Sequence, residues 1–231
     1  MYVHLAPIIG SLVYIFVLPR LTFECVGEPM CRMNFIRSAS GVHNAFLCAF
    51  SASIFYGCCT ILYERGIVIE DGYYFQSGKF RAIMFMFYLS KYYEYVDTWI
   101  LYLKGRKPIF LQTYHHLGAV IVWHLCYYYR SESILIATMF NSFVHTIMYW
   151  YYMETCMLEP RPYIKYIKKY ITSMQIVQLV LGCILTCVYY PVESRESFYA
   201  HLVFQLYVIV LIVLFVQFSQ KTYGIVKQPV D

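Results

Sequence analysis

The chain has 231 residues, 60% hydrophobic and 13% charged, against roughly 45–50% and about 25% for an ordinary soluble domain, which excludes a soluble globule. The net charge of +5 sits in short loops between apolar runs, so it reads as a topology signal and not as a nucleic-acid surface. Nine cysteines are an odd number, and Cys48, Cys58, Cys59, Cys126, Cys183 and Cys187 lie inside apolar runs, so no disulfide framework is implied.

Seven stretches of about 20 mostly apolar residues are each long enough to cross a bilayer core of roughly 30 Å as a helix. They fall at 3–19, 41–63, 82–103, 109–128, 134–153, 168–190 and 198–218. The first has no basic segment before it and no small-residue cleavage pattern near Pro19, so it is read as a span and not a removed signal. Gly105 to Pro108 predicts a hairpin turn, with the proline opening the fourth helix. No repeat, linker or low-complexity tract divides the chain. Residues 1–231 are therefore read as one polytopic, all-α integral membrane domain.

Lysines and arginines in alternate loops number twelve on one side and five on the other. The larger set runs from Arg20, Arg32 and Arg37 through Lys104, Arg106 and Lys107, then Arg161, Lys165, Lys168 and Lys169, to Lys221 and Lys227. The excess places the N-terminus in the lumen or outside and the C-terminus in the cytosol. The 26 tyrosines and 17 phenylalanines exceed what interfacial belts use, so some line an interior.

Ionisable groups within spans cost about 2.5–3.5 kcal/mol each and face a protein interior or cavity. The third span carries Lys91, Glu94 and Asp97 at three-residue spacing; the fourth carries Gln112, His115 and His116 on one face. The fifth carries Asn141 and His145, followed by Met148, Tyr149 and Tyr152; the sixth carries Thr172, Gln175 and Gln178. Measured from the cytosolic ends of antiparallel spans at about 1.5 Å per residue, these groups reach a common level. A single site nearer the cytosol than the lumen is the simplest account. Plainer readings exist for each: Lys91 with Glu94 as a self-neutralising pair, the glutamines as interhelical glue, His124 and His201 as packing residues.

Three histidines at one depth suggest metal binding or nucleophilic and acid–base chemistry. Seven histidines are too few for the several boxes of a membrane di-iron oxygenase, with His4 and His43 placed away from the group, so no metal is expected. Cys126 and Cys156 each lie eleven residues past a candidate histidine, about 16 Å along a helix, out of reach. Seven spans also suit a small transporter, but the two similar three-helix halves of such carriers are not visible here.

The run Lys91-Tyr-Tyr-Glu94-Tyr-Val-Asp97-Thr98 resembles the KxxExxDT motif of the ELO family, the very-long-chain fatty acid elongases. Gln112-Thr-Tyr-His115-His116 resembles the glutamine variant of its HxxHH box. Asn141 to Tyr152 is similar to its NxxxHxxMYxYY motif, and Thr172 to Gln178 to its TxxQxxQ motif. The resemblance runs from about Pro29 to Tyr223. It implies seven transmembrane helices in the endoplasmic reticulum, six of them forming a barrel around an acyl tunnel. It implies condensation of acyl-CoA with malonyl-CoA to a 3-oxoacyl-CoA two carbons longer, with release of carbon dioxide and CoA. Neither cofactor nor metal is expected.

By motif position His115 would be the nucleophile that carries the acyl group as an acyl-imidazole. His145 and Asn141 would stabilise the enolate; Glu94 or Asp97 would orient His116 or His115, and Lys91 would hold Glu94 charged. Gln112 would serve only by hydrogen bonding, and its form of the box is associated with elongases of polyunsaturated chains. Tyr149, Tyr152, Gln175 and Gln178 would line the substrate path. Lys104, Arg106, Lys107, Lys168 and Lys169 are placed to attract CoA phosphates or simply to fix topology. The tunnel is expected to close toward the lumen near Ile184, Leu185 and Val188. The implied partners are the lipid bilayer and the reductases and dehydratase of the elongation cycle, with a homo-oligomer compatible. The ending Lys227 to Asp231 lacks the dilysine retrieval signal of many relatives, so retention would rest on the spans.

Overall fold

A backbone in apolar surroundings satisfies its own polar groups most simply as helix, and the computed structural model, which describes residues 4–21, 29–157 and 163–223, contains no strand among them. Arg161, and Lys227 with the ending it belongs to, lie outside the described residues. Helix covers each apolar stretch named above. Three of these helices, Met33–Arg65, Tyr166–Tyr189 and Arg195–Tyr223, are long and apolar enough to cross a membrane by length and composition. The chain is a multi-pass membrane protein.

Helix α1, Leu5–Leu12, continues through a wide turn at Val13–Val17 and a tight one at Leu18–Arg20, where Pro19 sits. Helix α2, Pro29–Arg65, starts twelve residues before the expected span. The third span was expected as one helix over 82–103. It is two, α3 at Gly78–Tyr93 and α4 at Tyr95–Leu103. The break falls at Glu94, whose carbonyl accepts from Asp97 N only three residues on, at 3.1 Å. A tightened turn, not proline or glycine, interrupts the ladder there.

Helix α5, Phe110–Tyr128, begins two residues past Pro108, which leads in extended chain instead of opening the helix. Gly105 takes φ +70 in the turn before it, a conformation glycine adopts without strain. Helices α6, Ile134–Thr155, α7, Ile164–Thr186, and α8, Arg195–Tyr223, complete the chain. Around the molecule α2 packs on α6, α6 on α7, α7 on α8, α8 on α5, α5 on α3, and α3 back on α2; α1 lies against α5. Trp123 of α5 fills the middle of one side, edge-on to Phe87 at 5.4 Å and to Phe204 at 5.5 Å.

The end of the molecule opposite Lys104 is tied by Glu132. This fully buried carboxylate accepts from the backbone N–H of Tyr74 at 3.1 Å and of Phe75 at 3.3 Å, and Tyr74 in turn donates to Gly66 O at 2.7 Å. Burial raises the Glu132 carboxyl from 4.5 to about 7, against the opposing pull of the two N–H groups. The folded protein therefore holds a proton that the unfolded chain releases, so this contribution to stability is complete below 4.5 and is lost as pH rises through about 7. Melting in detergent should fall in temperature between about pH 5 and 8, and Glu132→Gln should show a shallower fall. An identical slope in the variant would count against the assignment.

Candidate active site

A cavity of about 500 Å³ opens at the Lys104 end and runs inward between α4, α5, α6 and α7. Lys104, Arg106 and Lys168 stand at its wall, whereas Lys107 and Lys169 are exposed and do not line it. Deeper in, Gln112, His115, His116, Asn141, His145, Gln175 and Gln178 share its lining with Glu94, Asp97, Tyr149 and Tyr152. The common-depth expectation thus holds for all four polar helices. Lys91 does not line the cavity but lies behind it, 1% exposed.

Lys91 Nζ donates to Glu94 Oε1 at 2.7 Å and to Asn141 Oδ1 at 3.2 Å, and rests 4.0 Å above the Phe87 ring. Because Asn141 spends its oxygen on the ammonium, its NH₂ is left as the donor. Glu94 Oε1 lies 3.8 Å from His145 Nδ1, a buried nitrogen with no hydrogen-bond partner. One ligand atom from each of Glu94, His115 and His145 falls within 4.8 Å of the others. These are the residues whose spacing would suit a metal ion, though the Lys91 ammonium occupies one Glu94 oxygen and opposes a second cation there.

Contrary to the expectation from the sequence, neither carboxylate is hydrogen-bonded to His115 or His116. Asp97 instead accepts from Tyr149 Oη at 2.8 Å and pairs with His43 Nε2 at 3.0 Å. His43, expected far from the group, is 6% exposed and part of it, with Nδ1 at 3.3 Å from Tyr93 Oη. His115 is held from α8: its Nδ1 and its backbone oxygen are each 3.0 Å from Tyr207 Oη. His116 packs between the rings of Tyr14 and Tyr95, centroids 6.1 and 6.4 Å away. Gln112 donates to Thr98 Oγ1 at 3.2 Å, and Gln175 to the Met148 sulfur at 3.3 Å.

Past His115 a second, narrower space of about 30 Å³ continues between α5, α6, α7 and α8. Its walls include His115, Asn141, Gln178, Gly182, Cys183 and Phe204. Ile184, Leu185 and Val188 are 61%, 41% and 45% exposed and point outward. The face of α7 expected to close the tunnel is thus not the one that lines this space. Gly182 and Cys183 are the inward residues of that turn.

The four motifs, in order on α3 to α7, meet at this cavity, and the profile of the GNS1/SUR4 (ELO) family matches residues 3–230. The chain belongs to the ELO family. It is 32% identical over 170 residues to fatty acid elongase sre1 of Dictyostelium discoideum, covering 70% of this chain and 62% of the relative. It is 38% identical over 153 residues to very long chain fatty acid elongase 4 of Trypanosoma cruzi, covering 62% and 53%. To very long chain fatty acid elongase 5 of Xenopus laevis it is 32% identical over 202 residues, covering 81% and 66%. The matched part of this ELO chain spans from half to two thirds of these relatives' lengths.

Proposed function

We propose that the chain is the condensing enzyme of fatty acid elongation, joining acyl-CoA to malonyl-CoA to give a 3-oxoacyl-CoA two carbons longer, carbon dioxide and CoA. The observation that carries this reading is His115 at the junction of the wide cavity and the narrow one, with His145, Asn141 and Glu94 around it. In this reading a ring nitrogen of His115 attacks the thioester carbonyl, the C–S bond breaks, and CoA leaves as the thiol after taking a proton. Malonyl-CoA then loses carbon dioxide, and the electron pair left behind forms an enolate. The Asn141 NH₂ and His145 are the donors for its oxygen. The enolate carbon attacks the acyl carbonyl and the C–N bond to His115 breaks, restoring the imidazole.

The basic mouth at Lys104, Arg106 and Lys168 would attract the phosphates of CoA. The acyl tail would run through the narrow space toward Gly182. We place the chain in the endoplasmic reticulum with all seven stretches spanning, six helices closed into a barrel, the N-terminus lumenal and the C-terminus cytosolic; the twelve-to-five charge asymmetry and the cycle of helix neighbours support this. The test is release of labelled carbon dioxide from carboxyl-labelled malonyl-CoA by purified protein. We expect release that requires acyl-CoA in stoichiometric turnover with the longer 3-oxoacyl-CoA. No release across a panel of acyl chain lengths would overturn the reading.

The tail path gives a second measurable result. A Cβ built on Gly182 meets nothing within 4 Å, so a side chain can start there without a backbone clash, and a large one would fill the narrow space. Gly182→Trp should shorten the preferred products by at least one two-carbon step, whereas Ile184→Trp, on the outward face, should leave the product profile unchanged. The same profile from all three proteins would count against a tail running past α7.

A further inference from the structure

The hydroxyl of Tyr207 has one hydrogen and two acceptor sites, and it stands 3.0 Å from two groups of the same residue, the backbone oxygen and the Nδ1 of His115. A carbonyl oxygen can only accept, so the single hydrogen goes to it. If Nδ1 carried a lone pair, two unprotonated acceptors would face each other at hydrogen-bond distance, a buried repulsion that the fold has no reason to keep. The arrangement is satisfied in one way: Nδ1–H donates to Tyr207 Oη, and Tyr207 O–H donates to the carbonyl of His115.

We infer that Tyr207 is a positioning residue that fixes His115 as the Nδ1–H tautomer, leaving the lone pair on Nε2 as the nucleophile, and that Gly118 is the glycine that admits it. The two residues are on one face of α5, Gly118 lying one turn beyond His115. A Cβ on Gly118 would sit 2.1 Å from Tyr207 Cε2 and 2.5 Å from Cδ2. These atoms belong to a rigid ring, itself stacked on Tyr114 with centroids 5.4 Å apart and planes 21° from parallel. Any side chain at 118 therefore pushes the ring and its hydroxyl out of register. A free imidazole exchanges freely between tautomers; here one hydroxyl, reached through one missing side chain, selects the form whose reactive nitrogen is the distal one.

The catalytic consequence rests on His115 being the nucleophile, while the tautomer does not. We would therefore read the tautomer directly, from the ¹⁵N shifts of imidazole-labelled full-length protein in nanodiscs without substrate, with His115→Ala to assign the signal. The expected spectrum has a protonated Nδ1 and an unprotonated Nε2 at His115. A protonated Nε2 in the wild-type protein overturns the inference, whatever the activity. In Tyr207→Phe, which keeps the ring and its packing, the two His115 shifts should move toward each other as both tautomers populate. The CoA burst with acyl-CoA alone should slow by about tenfold or more with KM for acyl-CoA changed less than about twofold, as expected for a lost hydrogen bond that does not touch substrate. Gly118→Ala should act in the same direction. Unchanged burst rate and unchanged shifts in Tyr207→Phe also overturn the inference. Absence of any burst in wild-type protein would instead defeat the proposed function and leave the tautomer result standing.

Discussion

His115→Ala is expected to abolish both CoA release and acylation when protein is mixed with acyl-CoA alone. Wild-type protein should release CoA in a burst of one equivalent per site and gain the mass of one acyl group, and malonyl-CoA should discharge that adduct into product, as a ping-pong scheme requires. The loss should be complete within detection, because the nearby thiols are engaged elsewhere: Cys126 is buried with its sulfur directed at Ala200 O, Cys156, at the wall of the wide cavity, accepts from Asn44, and Cys183, at the wall of the narrow one, donates to Gln205 Oε1 at 2.6 Å. His145→Ala should keep much of the burst and lose condensation, since the role proposed for its ring, 3.8 Å from Glu94, is on the enolate of the second half-reaction. Gln112→Ala should leave the adduct visible, its amide being engaged with Thr98. A burst that survives in His115→Ala, or peptide mapping that finds the acyl group on a cysteine, would sink the acyl-imidazole step and leave the overall reaction to be explained another way.

Lys91→Met should be among the most destabilising single changes in the protein. Lys91 and Glu94 are 1% and 3% exposed, and removing one partner leaves the other charge buried without compensation, at a cost of about 3–5 kcal/mol. Methionine keeps the length of the side chain and its contact with Phe87, so lost packing is a minor part. The double change Lys91→Met with Glu94→Gln should recover much of the stability, because a neutral pair of similar shape is often no worse than the ion pair. Thermal unfolding in one detergent reads both. Activity separates the two roles of the pair: a stable but inactive double variant means that the Glu94 charge acts on His145, whereas a stable and active one reduces Lys91 and Glu94 to mutual neutralisation.

Much of the site was legible because helix rise is nearly constant. Polar groups on four antiparallel stretches, referred to one end, come to one level at 1.5 Å per residue, and there the cavity lies. Rotation about each helix axis was less legible. Ile184, Leu185 and Val188 lie on the outward face of their turn, which hydropathy alone does not report when both faces are apolar. The break at Glu94 carries no proline or glycine to announce it. His43 did leave a signal: Ser40, His43, Asn44, Leu47 and Ser51 are all buried and recur at helical spacing along α2, a polar stripe that the motif-bearing spans overshadowed. Tyr207 left none, being one of 26 tyrosines whose hydroxyl acquires meaning only when α8 is laid against Gly118.

The three helices long and apolar enough to cross a membrane are α2, the α7 rod and α8, and none of them supplies Lys91, Glu94, Asp97, His115 or His145. Those groups ride on α3 to α6, in the middle of the chain. A segment with three ionisable groups, at about 2.5–3.5 kcal/mol each near the bilayer centre, does not partition into lipid on its own account. Biogenesis is thus divided between segments that enter by hydrophobicity and segments that enter because others have arranged a place for them. Their residence in the bilayer becomes a property of the assembled protein, and an error in α7 or α8 would be felt first as misinsertion of the helices that carry the buried ionisable groups.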